Sequence, residues 1–276
     1  MPSNIYIKLK YQTISPSSKL EAFIKCYWTL DGSLIEKQRI IPDGCVEMIF
    51  HYGDLYKQYL EGENYIIQPR CFVFGQVTRA LDIEPTGNTG IIAVRFHPEG
   101  FTPFCTLALS EIENKGIPLH QIFEKNGALL EQEVLNAENN ERRINIIESF
   151  LLAQITKSES IDRIVQLSVK TLLSSKGNLS VKNLSANSDI HRRQLERRFS
   201  KSIGLSPKQL SKVIRLQATL KIFSNKNIGS LTEVAHEGGY FDQAHFIKDF
   251  KEFTGVTPKY FYSENLRLSA LFIDPH

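Results

Sequence analysis

Phe199-Ser-Lys-Ser-Ile-Gly204-Leu-Ser-Pro207 and Phe250-Lys-Glu-Phe-Thr-Gly255-Val-Thr-Pro258 share one pattern, Phe-x4-Gly-x-(Ser/Thr)-Pro, at an offset of 51 residues. Working outward, Leu195 meets Phe246 at the same offset. Ser180-Val-Lys-Asn-Leu-Ser meets Ser230-Leu-Thr-Glu-Val-Ala at an offset of 50, so one residue is inserted in the intervening turn. Self-similarity at a fixed period marks one supersecondary unit used twice.

Each copy predicts two short helices and a turn. Ser180 and Ser230 are good N-caps, because a serine hydroxyl satisfies free N–H groups of a first turn. Val181 and Leu184, like Leu231 and Val234, sit at i, i+3 and share a helix face. Ser185 and Ala235 are small where two helices must approach. Asn187-Ser-Asp and Gly238-Gly supply the turns, and Asp242 is a strong cap for the next helix, where copy one has only His191. Gly204 and Gly255 end their helices, and Pro207 and Pro258 open the following ones. The helix between the copies, Pro207 to Phe223, has 17 residues and a length of ~25 Å. One turn of B-DNA spans ~34 Å, so two second helices on such a spacer suit successive major grooves.

The second helix of copy one reads His191-Arg-Arg-Gln-Leu-Glu-Arg-Arg-Phe-Ser-Lys. Leu195 and Phe199 are four apart and face inward. Arg192, Arg193, Gln194, Glu196 and Arg197 are the candidate DNA contacts, with Arg193, Glu196 and Arg197 on the outer side. Arginine reads guanine O6 and N7 bidentately, and glutamate accepts from cytosine N4. In copy two the candidates are Gln243, Ala244, His245 and Lys248. The plainer reading of these basic residues is a solvated helix face.

Charge supports the nucleic-acid reading. The 276 residues carry a net charge of +3, but residues 1–159 hold 15 basic and 20 acidic side chains and residues 160–276 hold 18 and 10. A −5 half and a +8 half suggest that only one of them handles a polyanion. No apolar run approaches the ~20 residues of a membrane helix, and the N-terminus lacks a signal-peptide pattern, so the cytoplasm is the expected address. Cys26, Cys45, Cys71 and Cys105 form no C-x-x-C pair and read as small buried hydrophobes.

The first half reads as short strands with turns between them. Ile5–Leu9, Val46–His51, Cys71–Gly75 and Gly90–Phe96 cluster β-formers, and Pro42-Asp-Gly, Tyr52-Gly-Asp and Pro85-Thr-Gly-Asn-Thr-Gly punctuate them. A short helix is expected around Leu20–Tyr27, helical pieces from about Leu119 to Ala153, and a polar linker at Gln154–Ser160. Asp43, Glu47, Gln76, Arg79, Arg95 and His97 are polar residues in β-forming segments, and some of them would line an effector pocket. The competing reading makes Arg95 and Asp43 an internal ion pair. His51, His97, Glu47 and Glu99 are metal-ligand types without ligand spacing, so no metal or other cofactor is expected. Cys45 and His51 form no ordered nucleophile and base, and phosphate-binding glycine loops are lacking.

Residues 161–262 resemble the AraC/XylS-type DNA-binding domain. Leu195-x-x-x-Phe199, Gly204-Leu-Ser-Pro207, and Gly239-Tyr-Phe-Asp-Gln-Ala-His-Phe through Gly255-Val-Thr-Pro-Lys-Tyr260 carry the likeness. It departs from the pattern at His191, usually Ser, and at Asp189, usually Gly. The resemblance implies base-reading positions at Arg193, Glu196 and Arg197, and at Gln243, Ala244, His245 and Lys248. Ile40-Ile-Pro-Asp-Gly-Cys-Val-Glu-Met-Ile-Phe, Gly75-Gln-Val-Thr-Arg and Val94-Arg-Phe-His-Pro-Glu-Gly-Phe resemble an uncharacterised domain that precedes this module in some AraC-like regulators. In that family the first domain is commonly a β-rich effector-binding or dimerisation unit.

The expected fold is α+β in two domains. A β-rich sensor or dimerisation domain at 1–155, a small sandwich or barrel with flanking helices, precedes an all-α DNA-binding domain at 160–265. The expected function is sequence-specific transcription regulation without enzymatic activity. Duplex DNA is the partner, a small-molecule effector the controlling ligand, and RNA polymerase and a second copy of the chain further partners such a regulator admits. No membrane is involved. The alternatives are a DNA-modifying or repair enzyme delivered by its helical half, and a helical protein-interaction module.

Overall fold

The computed structural model describes residues 9–33, 36–60, 62–155, 161–187, 190–224 and 230–263. Ile5 to Lys8 of the first expected strand, residues 156–160 of the expected linker, and Ser188 and Asp189 of the first turn lie outside them.

Among the described residues the first half builds ten strands: β1 (Lys10–Ile14), β2 (Ile24–Ser33), β3 (Gln38–Ile40), β4 (Glu47–His51), β5 (Tyr56–Tyr59), β6 (Tyr65–Ile67), β7 (Cys71–Phe74), β8 (Leu81–Pro85), β9 (Asn88–Phe96) and β10 (Gly116–Pro118). They form a six-stranded sheet in the order β1-β2-β9-β4-β7-β10 and a four-stranded sheet in the order β3-β8-β5-β6. The large sheet is covered on both faces, and the side-chain period of two sorts its residues. Met48, Phe50, Ile92, Val94 and Phe96 pack toward α1 (Leu119–Leu135) and α2 (Asn140–Gln154). Trp28, Leu30, Ile91 and Ala93, on the other face, pack with Tyr56 and Ile83 of the small sheet. Burial on both faces is why β9 is a nearly unbroken apolar run.

The helix expected around Leu20–Tyr27 is not formed. Residues 17–24 make overlapping turns, Ile24 N–H donating to the Leu20 carbonyl at 2.9 Å, and the chain enters β2 at Ile24. Tyr27, Trp28 and Thr29 are better strand than helix formers, and β2 pairs with β1 on one side and β9 on the other. The pairing outweighs a weak helical spacing.

The second half is helical: α3 (Arg163–Ser174), α4 (Val181–Asn187), α5 (Arg192–Ile203), α6 (Pro207–Ser224), α7 (Leu231–Glu237), α8 (Gln243–Thr254) and α9 (Pro258–Ser263). The caps follow the sequence. Ser180 Oγ accepts from Asn183 N–H at 3.2 Å, Ser230 Oγ from Glu233 N–H at 3.2 Å, and Asp242 Oδ1 from His245 N–H at 2.7 Å. His191 makes no side-chain cap. Gly204 and Gly255 close α5 and α8 at φ values of +85° and +74°. α6 divides its apolar side chains between two small cores. Leu210 and Ile214 pack with Leu195, Phe199 and Leu184 of the first unit. Val213, Leu216 and Leu220 pack with Val234, Phe246 and Phe250 of the second. Neither unit buries its apolar face alone, and the connecting helix completes both.

Candidate nucleic-acid interface and effector cavity

α5 presents an apolar face to the first core through Leu195, Phe199 and Ile203. Its outer side carries Arg192, Arg193, Gln194 and Arg197, all exposed, with Glu196 half-buried. Arg192 Nε donates to Glu196 Oε1 at 2.9 Å, one helical turn apart. Such an exposed pair contributes well under 1 kcal/mol, so either side chain can leave it for another contact at little cost. Arg198 points elsewhere and is ion-paired with Asp162. Asp162 also caps α3, accepting from Ile164 N–H at 3.0 Å, and so ties the entry of the helical half to α5.

α8 shows Ala244 and Lys248 to solvent. Gln243 and His245 are half-buried and already engaged. Gln243 Oε1 accepts from Thr232 Oγ1 at 3.0 Å, and the His245 ring meets Tyr240 edge-on at 5.3 Å. Asp249, whose side chain is 4% exposed, draws two cations and an imidazole together. Lys212 Nζ lies 3.1 Å, Arg215 Nη2 3.0 Å and His245 Nε2 3.6 Å from its carboxylate. The Arg215 guanidinium also lies over the Tyr240 ring at 4.6 Å. Lys212 and Arg215 belong to α6, so this buried cluster sets the angle of the second recognition helix against the connecting helix. Sequence reading missed Asp249 and Asp162 as organisers, because their partners are 34 to 37 residues away in the chain.

A cavity of about 80 Å³ lies between the two sheets, lined from the large sheet by Trp28, Glu47, His51 and Arg95 and from the small one by Ile40, Tyr56 and Ile83. Glu47 and Arg95 are directly opposite in the β4–β9 register, so they share a face. Arg95 Nε donates to Glu47 Oε1 at 2.7 Å, and Arg95 Nη2 lies 3.4 Å from Asp43 Oδ2. Trp28 Nε1 donates to the same Glu47 oxygen at 3.0 Å. Burial raises the Glu47 carboxyl above the usual range against the pull of Arg95. Burial also lowers the His51 imidazole to about 4, so its ring is neutral near pH 7. The ring stacks on Tyr56 at 5.4 Å, and neither nitrogen makes a well-formed hydrogen bond.

Of the six expected effector residues, the structure brings Asp43, Glu47 and Arg95 together at the cavity, and the Arg95–Asp43 ion pair exists within it. Gln76 is fully buried beside it, donating to the Gly44 carbonyl at 3.0 Å. Arg79 is exposed. His97 stands apart, its Nε2 3.3 Å from the Glu21 carbonyl. Among the described residues no three His, Cys, Asp or Glu side chains are grouped to hold a metal ion, and no helix is long and apolar enough to cross a membrane.

The loop between β3 and β4 joins the cavity to the helical half. Ile41, Asp43 and Cys45 line the cavity, and Ile41 is also part of the second helical core. Gln217 Nε2 of α6 donates to the Pro42 carbonyl at 2.6 Å. Gly44, at φ +79°, lies where a Cβ would meet Leu210 Cδ1 at 3.2 Å. Arg39 Nη1 reaches the Thr254 carbonyl at 3.3 Å, and Thr102 Oγ1 donates to the Ser202 carbonyl at 2.8 Å.

Residues 12–118 match the family described as "Domain of unknown function (DUF6597)", and residues 184–263 match that of a helix-turn-helix domain. The Msm operon regulatory protein of Streptococcus mutans is 27% identical over 121 residues, a stretch covering 43% of this chain and 43% of that one, so the likeness spans less than half of that curated relative. ToxT of Vibrio cholerae, solved at 1.65 Å, is 11% identical with a TM-score of 0.48 over 92% of this chain and 97% of that one. The AraC-like transcriptional activator CuxR is 13% identical, with a TM-score of 0.28 over 84% and 88%. A helix-turn-helix domain of the AraC type therefore stands behind a β-rich first half, an arrangement similar to that of AraC-like transcription regulators.

Proposed function

We propose that the protein reads two adjacent major grooves of duplex DNA with α5 and α8, and that a small molecule in the cavity between the sheets adjusts this binding. The observation carrying the first part is the arrangement of two recognition helices on one connecting helix. α6 has 18 residues, about 27 Å, close to one DNA turn, and each helix exposes side chains on its outer face, Arg192, Arg193, Gln194 and Arg197 on α5 and Ala244 and Lys248 on α8. Arg193, Arg197 and Glu196 serve as base readers in the first groove, Ala244 and Lys248 in the second. Gln243 and His245 join them by giving up weak contacts. Lys and Arg side chains and helix N-termini supply the phosphate contacts that hold register.

The second part rests on the β3–β4 loop. A ligand can shift DNA affinity only through unequal affinity for two states of the chain. The Ile41–Cys45 segment gives that inequality a physical route, since it forms cavity wall on one side and α6 contact on the other. In this reading the sensor half spans residues 1–155 and the DNA-binding half residues 160–265. RNA polymerase and a second copy of the chain are the further partners of this reading, which requires no catalysis, and the cytoplasm is its place of action.

Affinity for a selected duplex, measured against salt, tests the reading. Binding should fall steeply between about 50 and 200 mM. Arg197→Ala should reduce discrimination at particular base pairs by roughly 1–3 kcal/mol. Equal weakening on all sequences would make Arg197 a phosphate contact, and salt-independent or absent binding would favour a protein-interaction module.

A further inference from the structure

We propose that the cavity between the two sheets takes a small amphipathic amine, whose ammonium sits at the Arg95–Glu47–Asp43 end and whose hydrocarbon part lies among Trp28, Leu30, Ile49 and Ile91. The proposal rests on reading the cavity as the effector site and names the chemistry of its ligand.

Charge decides the class. Six side chains that can titrate line the space: Asp43, Cys45, Glu47, His51, Tyr56 and Arg95. One guanidinium, 2% exposed, faces two carboxylates, Glu47 at 2.7 Å and Asp43 at 3.4 Å. The cluster therefore holds one more potential negative charge than positive. Burial raises the Glu47 carboxyl, and an ammonium within hydrogen-bond reach draws it back to the carboxylate, as a neutral alcohol does not. Burial keeps His51 neutral near pH 7, since its imidazole is lowered to about 4, and pushes the Cys45 thiol up, so it adds no anion. An incoming ammonium supplies the missing positive charge. An incoming carboxylate would be a third acidic group around a single guanidinium, and like charges juxtaposed in a buried site repel.

The remaining wall fits the rest of such a molecule. Trp28 and Tyr56 line the cavity, and aromatic faces attract organic cations. The other lining is mostly branched aliphatic. His51, fully buried with neither ring nitrogen well hydrogen-bonded, offers one further polar partner at the Tyr56 side. A volume of about 80 Å³ is about half that of the engineered apolar cavity of about 150 Å³ that binds benzene, so it suits a ligand of a few heavy atoms and excludes a long chain.

Trp28 is the sole tryptophan of the chain and lies in the cavity wall, so its fluorescence reports occupancy directly. The full chain would be titrated with ethylamine, ethanol and acetate, which share one two-carbon skeleton and suit a cavity of about 80 Å³. The amine should change Trp28 emission saturably, at least about tenfold more tightly than the acid or the alcohol. Glu47→Gln should abolish that preference. If this variant does not fold, Asp43→Asn, at the partly exposed edge of the cluster, should reduce it. Acid or alcohol binding as tightly as the amine overturns the ligand class and leaves the cavity as a binding site. If none of the three binds, both the class and the effector reading of the cavity fall.

Discussion

The side-chain amide of Gln217, midway along the connecting helix, donates to the carbonyl of Pro42 at 2.6 Å, across 175 residues of sequence. That bond fixes the β3–β4 loop on the helix that carries both recognition units. The bond is partly buried, so water replaces a lost donor only in part. Gln217→Ala leaves the Pro42 carbonyl without this donor and should cost about 1–3 kcal/mol in urea unfolding. Unfolding that matches the unaltered chain within error would show that the loop is held by other contacts.

Gly44 offers a second test of the same junction, with an internal control. Gly44 and Gly62 both lie at positive φ, +79° and +75°, so alanine at either strains the backbone by about 1 kcal/mol. Only at Gly44 does the added methyl meet α6, Leu210 Cδ1 at 3.2 Å and Val213 Cγ1 at 3.7 Å, whereas nothing lies within 4 Å at Gly62. Gly44→Ala should change DNA affinity as well as stability, and Gly62→Ala stability alone. Equal effects of the two variants on DNA binding would break the proposed link between cavity and reader.

Asp249 should matter far more than its neighbour Glu252, although both bind Lys212. Asp249 is buried among Lys212, Arg215 and His245, while the Glu252 side chain is 52% exposed. Asp249→Asn leaves cations without their charge and should destabilise by about 2–4 kcal/mol. Glu252→Gln should cost under about 1 kcal/mol. Urea unfolding of the two variants measures the contrast, and comparable losses would contradict it.

His51 makes stability depend on pH. Its folded value of about 4 lies below the ordinary 6.5, so between those values the unfolded chain binds a proton that the folded chain refuses. The stabilisation is complete above pH 6.5 and is lost as pH falls toward 4, amounting to about 3 kcal/mol. Glu99, raised by burial to about 6, acts in the opposite sense, its contribution present in acid and lost as pH rises through 6. The clean measurement is therefore a difference. Relative to His51→Phe, the unaltered chain should lose about 3 kcal/mol of unfolding free energy between pH 7 and pH 4. A difference independent of pH would mean that His51 is protonated in place.

Local chemistry explains what was readable from sequence. Ser180, Ser230, Asp242, Gly204 and Gly255 act on their own helix ends, so spacing alone reveals them, and the repeat locates the two readers. Long-range partners do not show in this way. Asp162 with Arg198, Asp249 with Lys212, and Pro42 with Gln217 are brought together only by tertiary packing. The cavity was half legible. Glu47 and Arg95 stand out as charges within β-forming runs, but Trp28, His51 and Tyr56 read as ordinary core residues. The misread stretch is Leu20–Tyr27, where pairing of β2 on both edges decides against helical spacing.

Helix spacing is the feature on which the whole account depends, and DNA geometry tests it most directly. In a duplex selected for tight binding, about 5 base pairs, half a helical turn, would be inserted between the segments footprinted by α5 and α8, and the dissociation constant measured against the uninterrupted site. Two readers held on one rigid helix predict loss of one groove contact and a fall in affinity toward the nonspecific level. Undiminished affinity on the interrupted site would contradict simultaneous reading of adjacent grooves.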